Sequence, residues 1–420
     1  MTKNKIGVVT AISLVLSNMI GTGVFTSLGY QLLAVQDSTS ILLLWVFGGI
    51  LALAGALCYA QLGTYYTQSG GDYIFLSRTF HPIVGYLSAW ASLIVGFSAP
   101  VALAAIAMSS YLKPFGLETP LVGVGFIVLS GVFHSFSISY SQKFQNVNSF
   151  FKVIFIFVLI GIGFWFTPTV AHSALQFTGA WPHEVVSSGF AISMIYVTYA
   201  YTGWNAAAYI VAEIDNPTKN LPKSLLVSTA LVTAFYVLLQ ILFLRHASIQ
   251  TLAGQTEVAT IAFRSILGKT NSQWVSLLIA LQLVATISSY IWIGPRITQA
   301  MAVENSRWRF LRGQNANGIP VRAIWVHVGI ATALALTGAF ETILLYAGFV
   351  LQLMSTLTVL CVFFIDKQKI TFKIPLSPLP QLFYVCFSTL VLGYILFDKP
   401  LESLFGIGLL LAGLLFYKKQ

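Results

Sequence analysis

The 420-residue chain is 57% hydrophobic and only 8% charged, with a mean hydropathy of +0.83 and a formal net charge of +10. Soluble domains carry about 25% charged residues, so this composition excludes an ordinary soluble protein and leaves no room for a large soluble domain. The basic excess does not call for nucleic acid, because Lys and Arg gather in the cytoplasmic loops of membrane proteins.

The apolar runs are much longer than outer-membrane strands, so the spans are helices. Twelve can be cut: 7–33, 40–65, 81–110, 119–137, 147–167, 185–212, 222–244, 272–302, 321–339, 342–365, 377–396 and 401–417. The first is too long for a signal-peptide core and lacks a cleavage signal, so it reads as retained. With the N-terminus inside, fifteen of the 22 basic residues fall on the inner side, among them Lys3, Arg78, Lys143, Arg307 and Lys419. Five fall outside: Lys113, Arg245, Arg264, Lys269 and Lys399. That bias puts both termini in the cytoplasm. Cys58, Cys361 and Cys386 lie in apolar runs and read as small buried hydrophobes. His81, His134, His172, His183, His246 and His327 are scattered and form no ligand motif, so no metal or other cofactor is expected.

The first span carries SNMIGTGVF at residues 17–25. Glycine costs about 1 kcal/mol against alanine in a helix interior. Gly21 and Gly23 around the β-branched Thr22 therefore predict a break. A break at membrane depth frees backbone N–H and C=O groups for a small charged solute. Between spans 2 and 3, Gly70 and Gly71 predict a tight turn, with Asp72 and Arg78 as anchors for a loop or inner gate. In span 5, Lys152 lies about one turn in. It either snorkels to the headgroups or points at the first break, where it would replace a bound cation or carry a coupling proton.

Span 6 carries a second irregular stretch, Val197 to Asn205, where polar and aromatic residues crowd around Gly203. Glu213, Asp215, Pro217 and Pro222 then mark a sharp helix end. Span 8 holds Thr286, Ser288 and Ser289, which either face the core or bond to the backbone one turn back. Arg296, lower in that span, reads as a brace for helix ends or the inner gate. The two broken spans stand five apart, and an odd offset reverses direction through the membrane. That pattern predicts two inverted five-helix repeats, residues 1–167 and 185–365, with two peripheral helices at 377–417.

The motifs resemble the amino acid–polyamine–organocation superfamily, and within it bacterial relatives of the L-amino acid transporter family. The resemblance rests on IGTGVF at 20–25, SGGDYIF at 69–75, YTGWN at 201–205, AEIDNPTKNLPKS at 212–224 and GIP at 318–320, in order over most of the chain. It implies an all-α polytopic membrane protein of LeuT-type fold with 12 transmembrane helices working by alternating access. Carried over by position, Gly21, Thr22 and Gly23 would offer N–H groups to a substrate carboxylate. Carbonyls around Met19, Ile20, Tyr199, Ala200 and Thr202 would receive the ammonium group. Tyr199 would close over the substrate, and Trp204 and Asn205 would shape the site. Lys152 matches a lysine that stands in for a sodium ion in related transporters, with Thr286 and Ser289 as weaker candidates in that region. Two departures stand out: Glu213-Ile214 where many relatives have two acidic residues, and Thr202 where glycine or glutamate is common.

The expected function is secondary transport of L-amino acids across the cytoplasmic membrane, with a neutral substrate and an exchange mechanism. No acidic side chain lies near either break to select a cationic substrate. A proton-coupled amino acid or polyamine carrier is the alternative. A channel needs a continuous polar pore, whereas here the polar residues cluster at two breaks. No phosphate-binding loop or HExxH motif supports an ATPase or a membrane enzyme. The partners implied are L-amino acids and membrane lipid. Some members of the family it resembles pair with a single-span partner through a cysteine in the outer loop between spans 3 and 4. The corresponding 111–120 segment has none, so the resemblance implies no obligatory single-span partner, and monomer and homodimer both stay open.

Overall fold

The computed structural model describes residues 5–136, 138–167, 175 and 177–418, with the backbone alone for 138–146. Lys3, His172 and Lys419, and the side chain of Lys143, lie outside the described residues.

The described chain is helical apart from turns and one isolated bridge. The first apolar run forms α1 (Val8–Met19) and α2 (Gly23–Gln31). It is followed by α3 (Ser38–Tyr66) and a short α4 (Asp72–Thr79). Next come α5 (Pro82–Ala91), a π-helical turn (Ser92–Phe97) and α6 (Ser98–Tyr111), which form one continuous rod. Then follow α7 (Pro120–Phe136), α8 (Ile138–Trp165), α9 (Trp181–Glu184) and α10 (Ser188–Ala200). A 3₁₀ segment (Ala206–Glu213) leads into α11 (Pro217–His246), α12 (Ile249–Leu252) and α13 (Val258–Glu304). The chain closes with α14 (Val321–Thr337), α15 (Phe340–Leu360), α16 (Leu379–Asp398) and α17 (Pro400–Ala412).

Eight of these helical runs are long and apolar enough to cross a membrane, and four shorter apolar helices accompany them. Caps fix the ends. Asp37 accepts from Thr39 N–H at 2.7 Å to start α3, and prolines open α5 and α11, where a missing N–H costs nothing.

Contacts sort the loops into two ends. At one, Ile6 pairs with residues 213–215 through two backbone bonds of 2.9 Å, Tyr73 donates to Glu304, and Tyr417 packs on Tyr86. At the other, the Asp37 carboxylate accepts from Thr178, Gly254 N–H donates to the Gly29 carbonyl at 2.7 Å, and Tyr196 donates to Glu341. The core lies between. There α1 packs on α11 and α8, and α10 packs on α2 and α15.

Several sequence expectations change. The loop between the second and third runs is not only a turn, because α4 follows it directly. α13 starts at Val258 and is interrupted at Gly268, whose φ of +75° no helix contains, so a further helical stretch precedes the eighth span expected at 272–302. Cys58 and Cys361 are buried, but Cys386 is exposed. An apolar run has an outward face as well as a core face, and hydropathy alone does not tell them apart.

Candidate functional site

The two irregular stretches meet in the core. α1 ends at Met19, residues 20–22 are non-helical, and α2 starts at Gly23. α10 ends at Ala200, and five residues later the chain resumes as a 3₁₀ segment. The breaks are in van der Waals contact through two glycines. A Cβ on Gly23 would lie 2.4 Å from Ala200 Cα. A Cβ on Gly203 would lie 2.7 Å from the Asn18 carbonyl group, and Gly203 has a φ of +100°, which side chains disfavour. No larger residue fits either position without moving a backbone.

Each break leaves helix-end groups to be satisfied. Among the described residues the N–H groups of Gly21, Thr22 and Gly23 have no hydrogen-bond partner. They stand at the N-terminus of α2, where the helix dipole favours an anion. The carbonyl side is occupied. Lys152 Nζ donates to the Ser17 carbonyl (3.0 Å), the Ile20 carbonyl (2.8 Å) and Thr286 Oγ1 (3.0 Å). Lys152 is fully buried, so this is the interior reading of that lysine and not the snorkelling one. A buried cation is tolerated only when paired or fully hydrogen-bonded, and three acceptors supply that. Its ammonium caps the C-terminal end of α1, where the helix dipole also favours a cation.

Sequence reasoning missed Tyr236 on α11. Its hydroxyl lies 2.6 Å from the Met19 carbonyl and 3.1 Å from the Ala200 carbonyl, joining the open ends of α1 and α10. A tyrosine within an apolar run gives no sequence signal of that role. Tyr290 on α13, also missed, donates to the Asn18 carbonyl at 3.4 Å.

The remaining candidates divide. Tyr199 is buried, with its side chain near Thr22, so it does lie over the first break. The Tyr199 carbonyl is taken by Thr202, through both its N–H (3.0 Å) and its hydroxyl (2.6 Å). Of the five carbonyls proposed for an ammonium group, that of Thr202 accepts no bond among the described residues, those of Met19, Ile20 and Ala200 each accept one and keep a second lone pair, and that of Tyr199 has both lone pairs taken. Thr286 joins the site through Lys152, whereas Ser289 bonds back to the Ala285 carbonyl at 2.9 Å. Trp204 packs into a slot on α3, edge-on to Tyr59 at 4.7 Å and against Gly55, with Tyr384 beyond. Asn205 sits next to the Tyr209 side chain. These two support the second break from behind. Ser288 pairs with His134 at 2.7 Å. Arg296 stacks over Trp292 and donates to its carbonyl, one turn back on the same helix.

A zwitterion has one anionic and one cationic end. This site offers bare N–H groups on one side and carbonyls on the other, without an acidic side chain. The sequence pattern of the amino acid permease family matches residues 6–405. The chain belongs to that family. As a permease it moves amino acids across a membrane by secondary transport and is not an enzyme. It is similar to the human b(0,+)-type amino acid transporter 1, at 28% identity over 99% of this chain and 87% of the relative. It is also similar to the mouse Asc-type amino acid transporter 1, at 25% identity over 98% of this chain and 80% of the relative. A third similar protein is the mouse large neutral amino acids transporter small subunit 2, at 27% identity over 99% of this chain and 80% of the relative. These matches establish the superfamily without singling out a bacterial branch.

Proposed function

We propose that this permease exchanges neutral L-amino acids by alternating access around the paired breaks. The observation that carries the reading is the junction itself: free N–H groups at Gly21, Thr22 and Gly23 face the carbonyl ends of α1 and α10, with no acidic side chain among them. The substrate carboxylate binds the N–H groups, and its ammonium takes the remaining lone pairs of the Met19, Ile20 and Ala200 carbonyls and the open carbonyl of Thr202, beside the Tyr199 carbonyl that Thr202 already fills. Tyr199 closes the outer side. Lys152 and Thr286 fill the place of a coupling ion, with Ser289 beside them on α13, while Trp204 and Asn205 shape the site from the second break. The neutral substrate is also supported by the printed name of one relative, a transporter of large neutral amino acids.

The proposal includes the LeuT-type architecture. The eight long and four shorter apolar helices make twelve spans, residues 1–167 and 185–365 are inverted repeats, and 377–417 is peripheral. Its support is the five-span offset between the breaks. Both termini are cytoplasmic, on the strength of the Lys and Arg bias, and the membrane is the bacterial cytoplasmic membrane. The bacterial branch rests on the motif set. The absence of a cysteine at 111–120 supports function without a single-span partner, as a monomer or homodimer.

The test is counterflow in proteoliposomes. Internal unlabelled alanine, serine or leucine should accelerate entry of labelled leucine without an ion gradient, and internal arginine or glutamate should not. Entry that depends instead on an imposed proton gradient would replace exchange by proton coupling through Lys152. No entry from folded protein under either condition would overturn the reading.

A further inference from the structure

Below the second break, the loop that precedes α4 grips the 3₁₀ segment. Gly70 N–H donates to the Tyr209 carbonyl at 2.9 Å, and Ala212 N–H donates to Ser69 Oγ at 3.2 Å. The Tyr209 hydroxyl donates to Asp72 Oδ2 at 2.8 Å. The Tyr209 ring lies so close to Gly71 that a Cβ there would meet it at 2.5 Å. Residues 69–72 thus hold residues 209–212 at four points. Under alternating access the inner half of the sixth span must leave this loop for the inner side to open.

Asp72 is 6% exposed, and its Oδ1 has no hydrogen-bond partner among the described residues. The hydroxyl of Tyr59 lies beside the carboxyl. The titratable groups around Asp72 are Tyr59 on α3, Tyr209 on the 3₁₀ segment, Tyr384 on α16 and Cys361 just after α15. All are neutral acids near pH 7, and Thr358 on α15 carries no charge. Arg78, on the same helix as Asp72, lies near Tyr66 and Tyr73 and makes no ion pair with it. A carboxylate buried without a cation is costly, and protonation removes that cost while giving Oδ1 a donor.

We propose that Asp72 is a proton-binding latch, taking up one proton when residues 69–72 close on residues 209–212 and releasing it when they part. Burial pushes the Asp72 carboxyl up from 3.8 to about 6, while the Tyr59, Tyr209 and Thr358 hydroxyls pull the other way. When the latch opens and water reaches the carboxyl, its affinity for the proton returns toward the ordinary value. The raised value belongs to the closed form. The proton's stabilisation of closure is therefore fully present below about pH 4 and is lost as pH rises through about 6. Acid holds the inner side shut, and neutral pH frees it.

The inference rests on the transport reading, but its first readout does not need transport. Hydrogen exchange of peptides spanning 69–75 and 206–213, corrected for intrinsic rates, should show protection falling about tenfold from pH 5 to pH 7. Asp72→Asn mimics the protonated acid, so protection should stay at its pH 5 level at both values. Tyr209→Phe removes a donor to the ionised form and should move the transition to higher pH. Equal protection of the wild-type protein at both pH values would overturn the latch, as would an Asp72→Asn profile that still changes with pH. In counterflow at symmetric pH, wild-type exchange should rise about tenfold over the same range. Asp72→Asn should hold it at the pH 5 rate. Absent counterflow with an intact exchange signature would overturn the transport reading and leave the latch standing.

Discussion

At the first break three residues are non-helical and an α-helix resumes; at the second, five intervene and the chain continues as a 3₁₀ segment. The first is satisfied from outside: Lys152 comes from α8, Tyr236 from α11 and Tyr290 from α13. The second largely satisfies itself, since Thr202 bonds back to the Tyr199 carbonyl, with Tyr236 reaching in from α11 to the Ala200 carbonyl. The first break is thus a charged, braced anchor. The second is a neutral junction held by close packing, and a segment of that kind can move without stranding a charge. Charge changes should matter most at the first break and bulk changes most at the second.

Four substitutions test that contrast. Gly203→Ala should have the largest effect. Overpacking costs about 1–3 kcal/mol, and left-handed backbone adds about 1–2 kcal/mol for a residue with a side chain. Thermal unfolding in detergent should drop by several degrees and counterflow should vanish. Wild-type behaviour would show that Asn18 yields easily. Lys152→Ala should come next, because it strands the Ser17 and Ile20 carbonyls and takes a donor from the Thr286 hydroxyl, which keeps only its bond to the Gln282 carbonyl. Counterflow should fall by about tenfold or more, from stranded groups each costing about 1–3 kcal/mol. An unchanged rate across pH 5 to 8 would remove Lys152 from the mechanism. Tyr236→Phe keeps the ring and loses the bridge, so unfolding should shift by about 1 kcal/mol while substrate affinity weakens severalfold. Equal affinity would mean the two helix ends are held by packing alone. Gly21→Ala should be smallest, because its Cβ would meet Thr286 Cγ2 at 3.6 Å and the Met19 carbonyl oxygen at 3.9 Å, both ordinary contacts. Transport should stay within about twofold of wild type, as expected for a contact that needs no repacking.

The breaks could be read from sequence because glycine beside a β-branched or aromatic residue is a local signal. Lys152 was legible as an oddity, a charge in an apolar run, but its three acceptors were not, since Ser17, Ile20 and Thr286 lie 132 to 135 residues away. Tyr236 gave no signal because a tyrosine in an apolar run looks like any other aromatic until its hydroxyl has an address. Trp204 was drawn toward the substrate by its neighbours in the chain, yet the turn at Gly203 sends its ring to α3. Asp72 was legible beside the paired glycines as an anchor for a loop or inner gate, but its burial was not. Its burial depends on α3, α15 and α16 closing over it, which no local pattern records.

The braces of the first break have a consequence for how the protein is made. The broken run is synthesised first, and each group that satisfies it comes later. The Ile20 carbonyl waits 132 residues for Lys152, that of Met19 waits 217 for Tyr236, and that of Asn18 waits 272 for Tyr290. Until then the first span enters the membrane with bare carbonyls, which water or the insertion machinery must cover. A chain that stops before α11 would leave the Met19 and Asn18 carbonyls without these partners, so the first break is completed only by helices from the second half of the sequence.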